Sequence, residues 1–114
     1  MAHKGEDIKF TLKGDKNINL IGMNFKVLVY QPEDCCNPDQ VVKVETFEQV
    51  KDKNGVGLNE YIGKIPYSTS KTMKEGKYNM ELVLISEDEG TQERSIFVKK
   101  NAFNLECAAA KDIE

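Results

Sequence analysis

Apolar and polar residues alternate with a period of two in several short segments of this chain, and turn-forming residues separate the segments. In "IKFTLK" (8–13) isoleucine, phenylalanine and leucine alternate with lysine and threonine, and "KYNMELVLIS" (77–86) shows the same alternation. Successive side chains of a strand point to opposite faces, so this pattern predicts strands with one buried face. Seven or eight short segments of this kind, with almost no helical periodicity, predict an all-β antiparallel sandwich.

Three other segments predict particular strands. "NFKVLVYQ" (24–31) is apolar on both faces after its lysine, which predicts a central strand that is covered on both sides. "VVKVETFEQV" (41–50) predicts one strand, and "NAFNLEC" (101–107) predicts a short last strand. The pair Asn54-Gly55 predicts a hairpin turn, because these residues readily adopt positive φ angles.

Tyr78 lies two residues after Gly76, at the head of an alternating segment. In many immunoglobulin-like sandwiches a tyrosine in this place packs at a corner of the sheet, and its hydroxyl group bonds to nearby backbone. The alternation continues in phase from Tyr78, which favours this structural role over that of a ligand-binding surface aromatic. The predicted fold is therefore an immunoglobulin-like antiparallel β-sandwich of seven or eight short strands.

The chain of 114 residues has the length of one domain with one core. We expect a single sandwich domain over residues 1–114, with residues 1–6 and 108–114 as flexible tails or tails that a partner orders. No stretch approaches the apolar length of a membrane-spanning helix, and the first residues lack the apolar segment of a secretory signal. These features predict synthesis in the cytoplasm and no membrane partner.

The formal net charge is −3 at pH 7, with 16 lysines and arginines against 19 aspartates and glutamates. Binding to nucleic acid requires a basic patch that neutralises phosphate groups. The lysines here are interleaved with carboxylates instead. The sequence therefore predicts no nucleic-acid partner.

The sequence contains 1 histidine, His3, close to the amino terminus. General acid–base catalysis most often uses histidine, and a serine or cysteine nucleophile needs a positioned base. The chain has no phosphate-binding glycine loop, no dinucleotide-binding glycine pattern and no Gly-x-Ser-x-Gly motif. We therefore expect a non-enzymatic protein without catalytic residues and without a cofactor.

The loop "PEDCCNPD" (32–39) combines three carboxylates with two adjacent cysteines. Zinc sites use cysteines that are two to four residues apart, and calcium loops need a glycine at their sharp turn. Adjacent cysteines chelate one ion poorly, so we expect no metal site here. The odd number of cysteines, namely Cys35, Cys36 and Cys107, predicts reduced thiols.

A small sandwich has exposed edges, and many such domains act by pairing with a partner or packing against one. Leu20, Ile21, Met23 and Phe103 lie outside the main alternation. One sandwich buries only part of such an apolar set, so these residues are candidates for a protein interface. Ordinary core positions are the equal alternative.

Two longer segments resemble a phage family in the order of their parts. "IKFTLKGDKNINLIGMNFKVLVYQP" (8–32) has a strand and a Gly-Asp turn before an apolar–glycine step. "NEYIGKIPYSTSKTMKEGKYNMELVLISEDEGT" (59–91) has a strand, a short helical turn, Gly-x-Tyr, a further strand and an acidic hairpin with glycine. This order, from Asp7 to about Lys100, resembles the N-terminal immunoglobulin-like domain of phage baseplate upper proteins and related fibre-anchoring modules.

The resemblance implies a structural protein of a tailed-bacteriophage virion, which binds other virion proteins of the capsid, neck or baseplate as a homo-oligomer such as a trimer. The sequence ends at Glu114 without a fibre-forming region, so we expect a stand-alone auxiliary or decoration protein as much as a fibre anchor. Within the virion we expect an auxiliary capsid or head-fibre-type component, a choice for which no single residue argues. A phage tail or baseplate adaptor is one alternative. A bacterial carbohydrate- or protein-binding accessory module is another, although the chain has no tryptophan for a sugar platform.

Overall fold

The computed structural model of the chain describes residues 2–3, 5–86 and 92–106. Its strands are β1 (Ala2–His3), β2 (Ile8–Lys13), β3 (Asn24–Tyr30), β4 (Val42–Val44), β5 (Phe47–Lys51), β6 (Gly57–Ile65), β7 (Gly76–Ser86) and β8 (Gln92–Glu106). Two 3-10 turns, Pro32–Asp34 and Pro38–Gln40, and the single-turn helix α1, Tyr67–Ser70, lie in the connections. No helix in these described ranges is long and apolar enough to cross a membrane.

The strands form two sheets that pack face to face as an immunoglobulin-like sandwich. The first sheet has the order β1-β8-β7-β3-β4, and the second has the order β2-β6-β5. All neighbours are antiparallel except β1, which runs parallel to β8 and pairs Ala2 with Leu105. In immunoglobulin terms β2, β6 and β5 correspond to strands B, E and D, and β3, β7 and β8 correspond to C, F and G. The predicted fold class is confirmed.

The core lies between the two sheets, where the inward residues of the alternating segments meet. Val27 and Val29 of β3 are 1% and 0% exposed, and Ile65 of β6 is also fully buried. An aromatic cluster of partly buried side chains packs against this core and is formed by Phe10, Phe25, Phe47 and Tyr61. Side chains of this size contribute about 1.5–3 kcal/mol each when they are fully buried.

The prediction of a central strand covered on both sides is confirmed for β3. β3 lies between β7 and β4, and its outward residues Lys26 and Tyr30 are both 8% exposed. Lys26 Nζ lies 2.6 Å from a carboxylate oxygen of Glu93, and the Tyr30 hydroxyl donates to Glu81 at 2.8 Å. The side chains of Glu93 and Glu81 therefore help to cover the outer face of this strand.

Two strand predictions were wrong in their boundaries. Residues 41–50 do not form one strand, because β4 belongs to the first sheet and β5 to the second, and the chain crosses between them at residues 45–46. Residues 101–106 are not a separate strand, since they continue β8 through a bulge. Asn101 adopts a φ of 53° there, and its N–H donates to the side chain of Asn79. The predicted Asn54-Gly55 hairpin is present between β5 and β6, with Gly55 at a φ of 80°.

Residues 2–3 and 5–6, which lie within the predicted amino-terminal tail, contact the sandwich in the structure. Ala2 and His3 form β1, and the Gly5 N–H donates to the Ser70 hydroxyl oxygen at 3.0 Å. The Ser70 hydroxyl in turn donates to the Glu6 carbonyl at 2.7 Å. The amino-terminal segment is thus attached to α1 and to β8. The predicted tail at residues 108–114 lies outside the described residues.

Candidate functional site

The four residues predicted as a protein interface have different environments. Leu20 is 1% exposed and belongs to the core, which is the alternative that the sequence left open for this residue. Phe103 is half-buried, and its ring stacks on that of Tyr78 with centroids 5.2 Å apart. Ile21 and Met23 are 48% and 45% exposed. Only Ile21 and Met23 of the predicted set therefore leave about half of their surface open to a partner.

A tight turn between β2 and β3 carries both of these exposed residues. The Met23 N–H donates to the Leu20 carbonyl at 3.1 Å, and Gly22 has a φ of 76°. A positive φ at the third position is typical of a type II turn, and glycine adopts it without steric cost. The turn therefore places Ile21 and Met23 on either side of a glycine at its tip.

Asn59 of β6 fixes the base of this turn. Its side-chain oxygen accepts from the Leu20 N–H at 2.8 Å, and its side-chain nitrogen donates to the Ile18 carbonyl at 2.8 Å. The Asn59 carbonyl also accepts from the Gly14 N–H at 2.9 Å. These bonds hold a segment without strand structure against the second sheet. The apolar tip of the turn consequently stands on a rigid support.

An open groove runs along the side of the sandwich between β2 and β8. One part of it, about 280 Å³ in volume, is lined by Thr11, Leu12, Lys13, Asp15, Ile18, Leu20, Leu82 and Phe97. A neighbouring part shares Ile18 and Leu20 and adds Leu84, Arg94 and Ile96. Leu20 and Leu82 are buried at its floor, whereas Phe97 is 54% exposed. The groove and the turn at residues 20–23 therefore form one continuous surface.

The groove is open because the strand that would cover it is short. Among the described residues, β8 has β7 on one side along its length, but on the other side it pairs with β1 only at Leu105 and Glu106. β2 is likewise an edge strand of its sheet, paired with β6 alone in this part of the chain. Two neighbouring strand edges thus flank an apolar floor.

The corner around Tyr78 is built as the sequence predicts. Tyr78 is 3% exposed, and its hydroxyl donates to the Lys74 carbonyl at 2.6 Å. Burial, together with the nearby charge of Asp34, raises the pKa of Tyr78 to about 12. Gly76 has a φ of 125°, and a Cβ atom there would lie 2.6 Å from the side-chain nitrogen Nε2 of Gln31. The corner therefore fixes the entry into β7 and needs glycine at its turn.

The cysteine loop is a structural element of the same corner. Asp34 is 8% exposed, and its carboxylate lies 3.1 Å from Lys74 Nζ. Cys35 and Cys36 are exposed free thiols whose sulfur atoms are 3.6 Å apart. The hydrogen bond to Cys36 and the nearby negative charges raise the pKa of Cys35. A raised pKa lowers the thiolate fraction of Cys35, and with it the reactivity of this thiol as a nucleophile.

Groups of three or more histidine, cysteine, aspartate or glutamate side chains with metal-binding geometry do not occur within residues 5–86 and 92–106. The backbone of His3 belongs to β1, and Cys107 lies outside the described residues. The side chain of Asp34, which the sequence places in the candidate metal loop, pairs with Lys74 instead.

Phe97, the most exposed apolar side chain of the groove, was not among the residues predicted from the sequence. The signal was the run Ile96-Phe97-Val98, three consecutive apolar residues within an otherwise alternating strand. Such a run indicates a bulge, and the register between β7 and β8 shifts at this point. The bulge turns Ile96 and Phe97 toward the groove.

Comparisons of the chain with protein-family models, with curated protein sequences and with solved structures gave no match.

Proposed function

We propose that this protein is a non-enzymatic structural component of a tailed-bacteriophage particle, of the auxiliary capsid or head-fibre type, that binds a larger protein lattice. The order of segments in residues 8–32 and 59–91 supports the phage assignment through its resemblance to fibre-anchoring modules. The immunoglobulin-like sandwich agrees with that resemblance.

The turn at residues 20–23 is the observation that carries the binding role. Turn tips are usually polar, because they project into water. Here Ile21 and Met23 occupy the tip at about half exposure, and Asn59 holds the buried base of the turn. A rigid apolar projection of this kind loses little conformational entropy when it packs against another protein. The turn therefore suits attachment to a preformed lattice.

The experiment tests whether the protein is part of a particle. Particles released from the source culture are banded in a density gradient, and the fractions are probed with an antibody against the purified protein. We expect the protein in the particle band, still attached after a high-salt wash because the contact is apolar. A protein that is found only at the top of the gradient would overturn the proposal.

Variants test the role of the turn in the same assay. Purified Ile21→Asp and Met23→Asp proteins are added to particles that were assembled without this protein. We expect both to lose binding while their thermal transitions match the wild type, since both side chains are exposed. The matched control is Tyr67→Asp, which changes a 59% exposed residue at the opposite end of the sandwich and should still bind. If Ile21→Asp and Met23→Asp bound the particles as well as Tyr67→Asp does, the turn would not be part of the interface.

The mass of the free protein, measured by light scattering during size exclusion over a tenfold concentration range, tests the proposed homo-oligomer. A trimer supports a fibre-anchoring role, and a monomer supports a subunit that assembles only on its lattice.

A further inference from the structure

The free edge of β8 is long enough to accept another strand. Within the described chain, residues 92–104 have no strand partner on the side away from β7. The part before the bulge at Asn101, residues 92–100, is about 30 Å long at ~3.3 Å per residue. An unpaired edge presents a row of N–H and C=O groups with which an extended peptide can pair.

The side chains beside this edge are apolar at its centre. Phe97 is 54% exposed and Val98 is 41% exposed. Phe97 lies opposite Leu82 of β7, on the face of the sheet that lines the groove. A strand added to β8 would alternate its side chains between the two faces, so every second side chain would enter the groove.

The groove is positively charged on both sides of this apolar centre. Lys13 of β2 and Arg94 of β8 line it, and Lys99 lies on the same face as Phe97 because the two are separated by one residue. In the described part of the chain none of these three cations forms an ion pair. The carboxylate of the groove, Asp15, accepts two backbone N–H groups at 2.7 and 3.0 Å.

Edge protection alone does not account for this arrangement. Lysines and bulges on an edge strand discourage aggregation, and β8 has both. A protected edge, however, keeps large apolar side chains away from its centre, whereas Phe97 and Val98 are exposed there. Cations around an apolar centre repel a second basic edge and attract an acidic one, so they select a partner.

We propose that β8 accepts an extended acidic segment of a partner protein, which adds to the first sheet as a further strand and fills the groove between β2 and β8. In the partner segment, the side chains that point into the groove are apolar opposite Phe97. On either side of them, carboxylates of the segment face Arg94 and Lys99. The inference rests on the proposed function in that the partner is a protein, and it specifies the chemistry of that partner.

Two synthetic peptides test the proposal directly. The acidic peptide TDTVTVTDT and the basic peptide TKTVTVTKT differ only in the charge of two side chains, and both carry a fluorescent label. Fluorescence anisotropy measures their binding to the full chain. We expect saturable binding of the acidic peptide, at least about tenfold tighter than the basic peptide, and weaker binding as salt rises from about 0.05 to about 0.5 M.

Amide hydrogen exchange locates the bound peptide. We expect slower exchange for alternate amides within residues 92–100, whose N–H groups point away from β7, and no change in β4 at the opposite edge of the same sheet. Phe97→Asp should abolish binding and Lys99→Glu should weaken it about tenfold, while both keep the wild-type circular dichroism spectrum. Lys43→Glu, an exposed charge reversal on β4, is the matched control and should bind like the wild type.

Several outcomes would overturn the proposal. These are equal binding of the acidic and basic peptides, no binding of either, wild-type affinity in Phe97→Asp and Lys99→Glu, or protection of β4 instead of β8. Self-association that Phe97→Asp abolishes would assign the edge to a second copy of the chain and would also contradict it. Peptide binding by a protein that is absent from the particle band would leave this inference standing and refute the phage assignment alone.

Discussion

Replacing Tyr78 by phenylalanine removes one hydroxyl group and tests the corner on which β7 depends. The ring can stay stacked on Phe103, with the planes 8° apart and the centroids at 5.2 Å. The hydrogen bond from the hydroxyl to the Lys74 carbonyl, at 2.6 Å, is lost. Because Tyr78 is 3% exposed, water does not easily replace the missing donor.

The size of the effect follows from these contacts. A typical intramolecular hydrogen bond contributes about 1 kcal/mol net, and a buried acceptor left without its donor adds to the loss. We therefore expect Tyr78→Phe to lower the free energy of unfolding by about 1.5–2 kcal/mol. For a domain of this size that corresponds to a fall in Tm of about 6–10 °C.

Urea unfolding followed by circular dichroism measures this difference. The midpoint should fall while the m-value stays constant, since the surface exposed on unfolding is nearly the same. Tyr67→Phe is the matched control, because Tyr67 is 59% exposed and its loss of a hydroxyl should change stability by less than about 0.5 kcal/mol. If Tyr78→Phe and Tyr67→Phe were equally stable, the hydroxyl would not be a fold determinant.

Three more substitutions or titrations have definite expected results. Asn59→Leu removes the side-chain hydrogen bonds, both 2.8 Å long, to the Leu20 N–H and the Ile18 carbonyl. Urea unfolding should show that the free energy of unfolding falls by about 2–4 kcal/mol. Gly63→Ala places a methyl group against two core phenylalanine rings and should cost about 1–3 kcal/mol, measured as a lower Tm. Burial raises the pKa of both Tyr30 and Tyr78 to about 12. The hydrogen bond from Tyr30 to Glu81 also contributes to the raised pKa of Tyr30. The folded state keeps protons that the unfolded chain loses near pH 10, so urea midpoints should be constant below about pH 10 and fall as the pH rises to about 12. Either phenylalanine variant should reduce that fall, and an unchanged profile in both would contradict the assignment.

The sequence predicted those parts of the fold that depend on local periodicity. The alternation in residues 8–13 and 77–86 located β2 and β7, and the apolar character of residues 24–31 identified β3 as central. Tyr78 was predictable because its role depends on two nearby signals, the preceding glycine turn and the phase of the strand. Each of these signals lies within a few residues of the feature that it determines.

Features that depend on distant contacts were not predictable in the same way. Leu20 lies beside a glycine turn in the sequence, which does not show whether it is buried. In the structure its backbone N–H donates to the side-chain oxygen of Asn59, which is 39 residues away in the chain. Residues 41–50 read as one alternating strand, yet the chain changes sheets at residues 45–46. The inward positions change there from the even-numbered Val42 and Val44 to the odd-numbered Phe47, and the sheet that each half joins depends on pairing with distant strands.

The groove illustrates why composition misses a local surface. A net charge of −3 describes the whole chain, whereas Lys13 of β2 and the pair Arg94 and Lys99 of β8 come from two strands that meet only after folding. The apolar floor between them is exposed because, among the described residues, β1 pairs with β8 only at Leu105 and Glu106. If β1 were extended along β8 by an engineered insertion of alternating residues, it would occupy the edge that we assign to the partner. Such a protein should be more stable than the wild type and should no longer bind the acidic peptide. Both changes are required, because loss of binding without stabilisation would mean that the inserted segment does not occupy the edge.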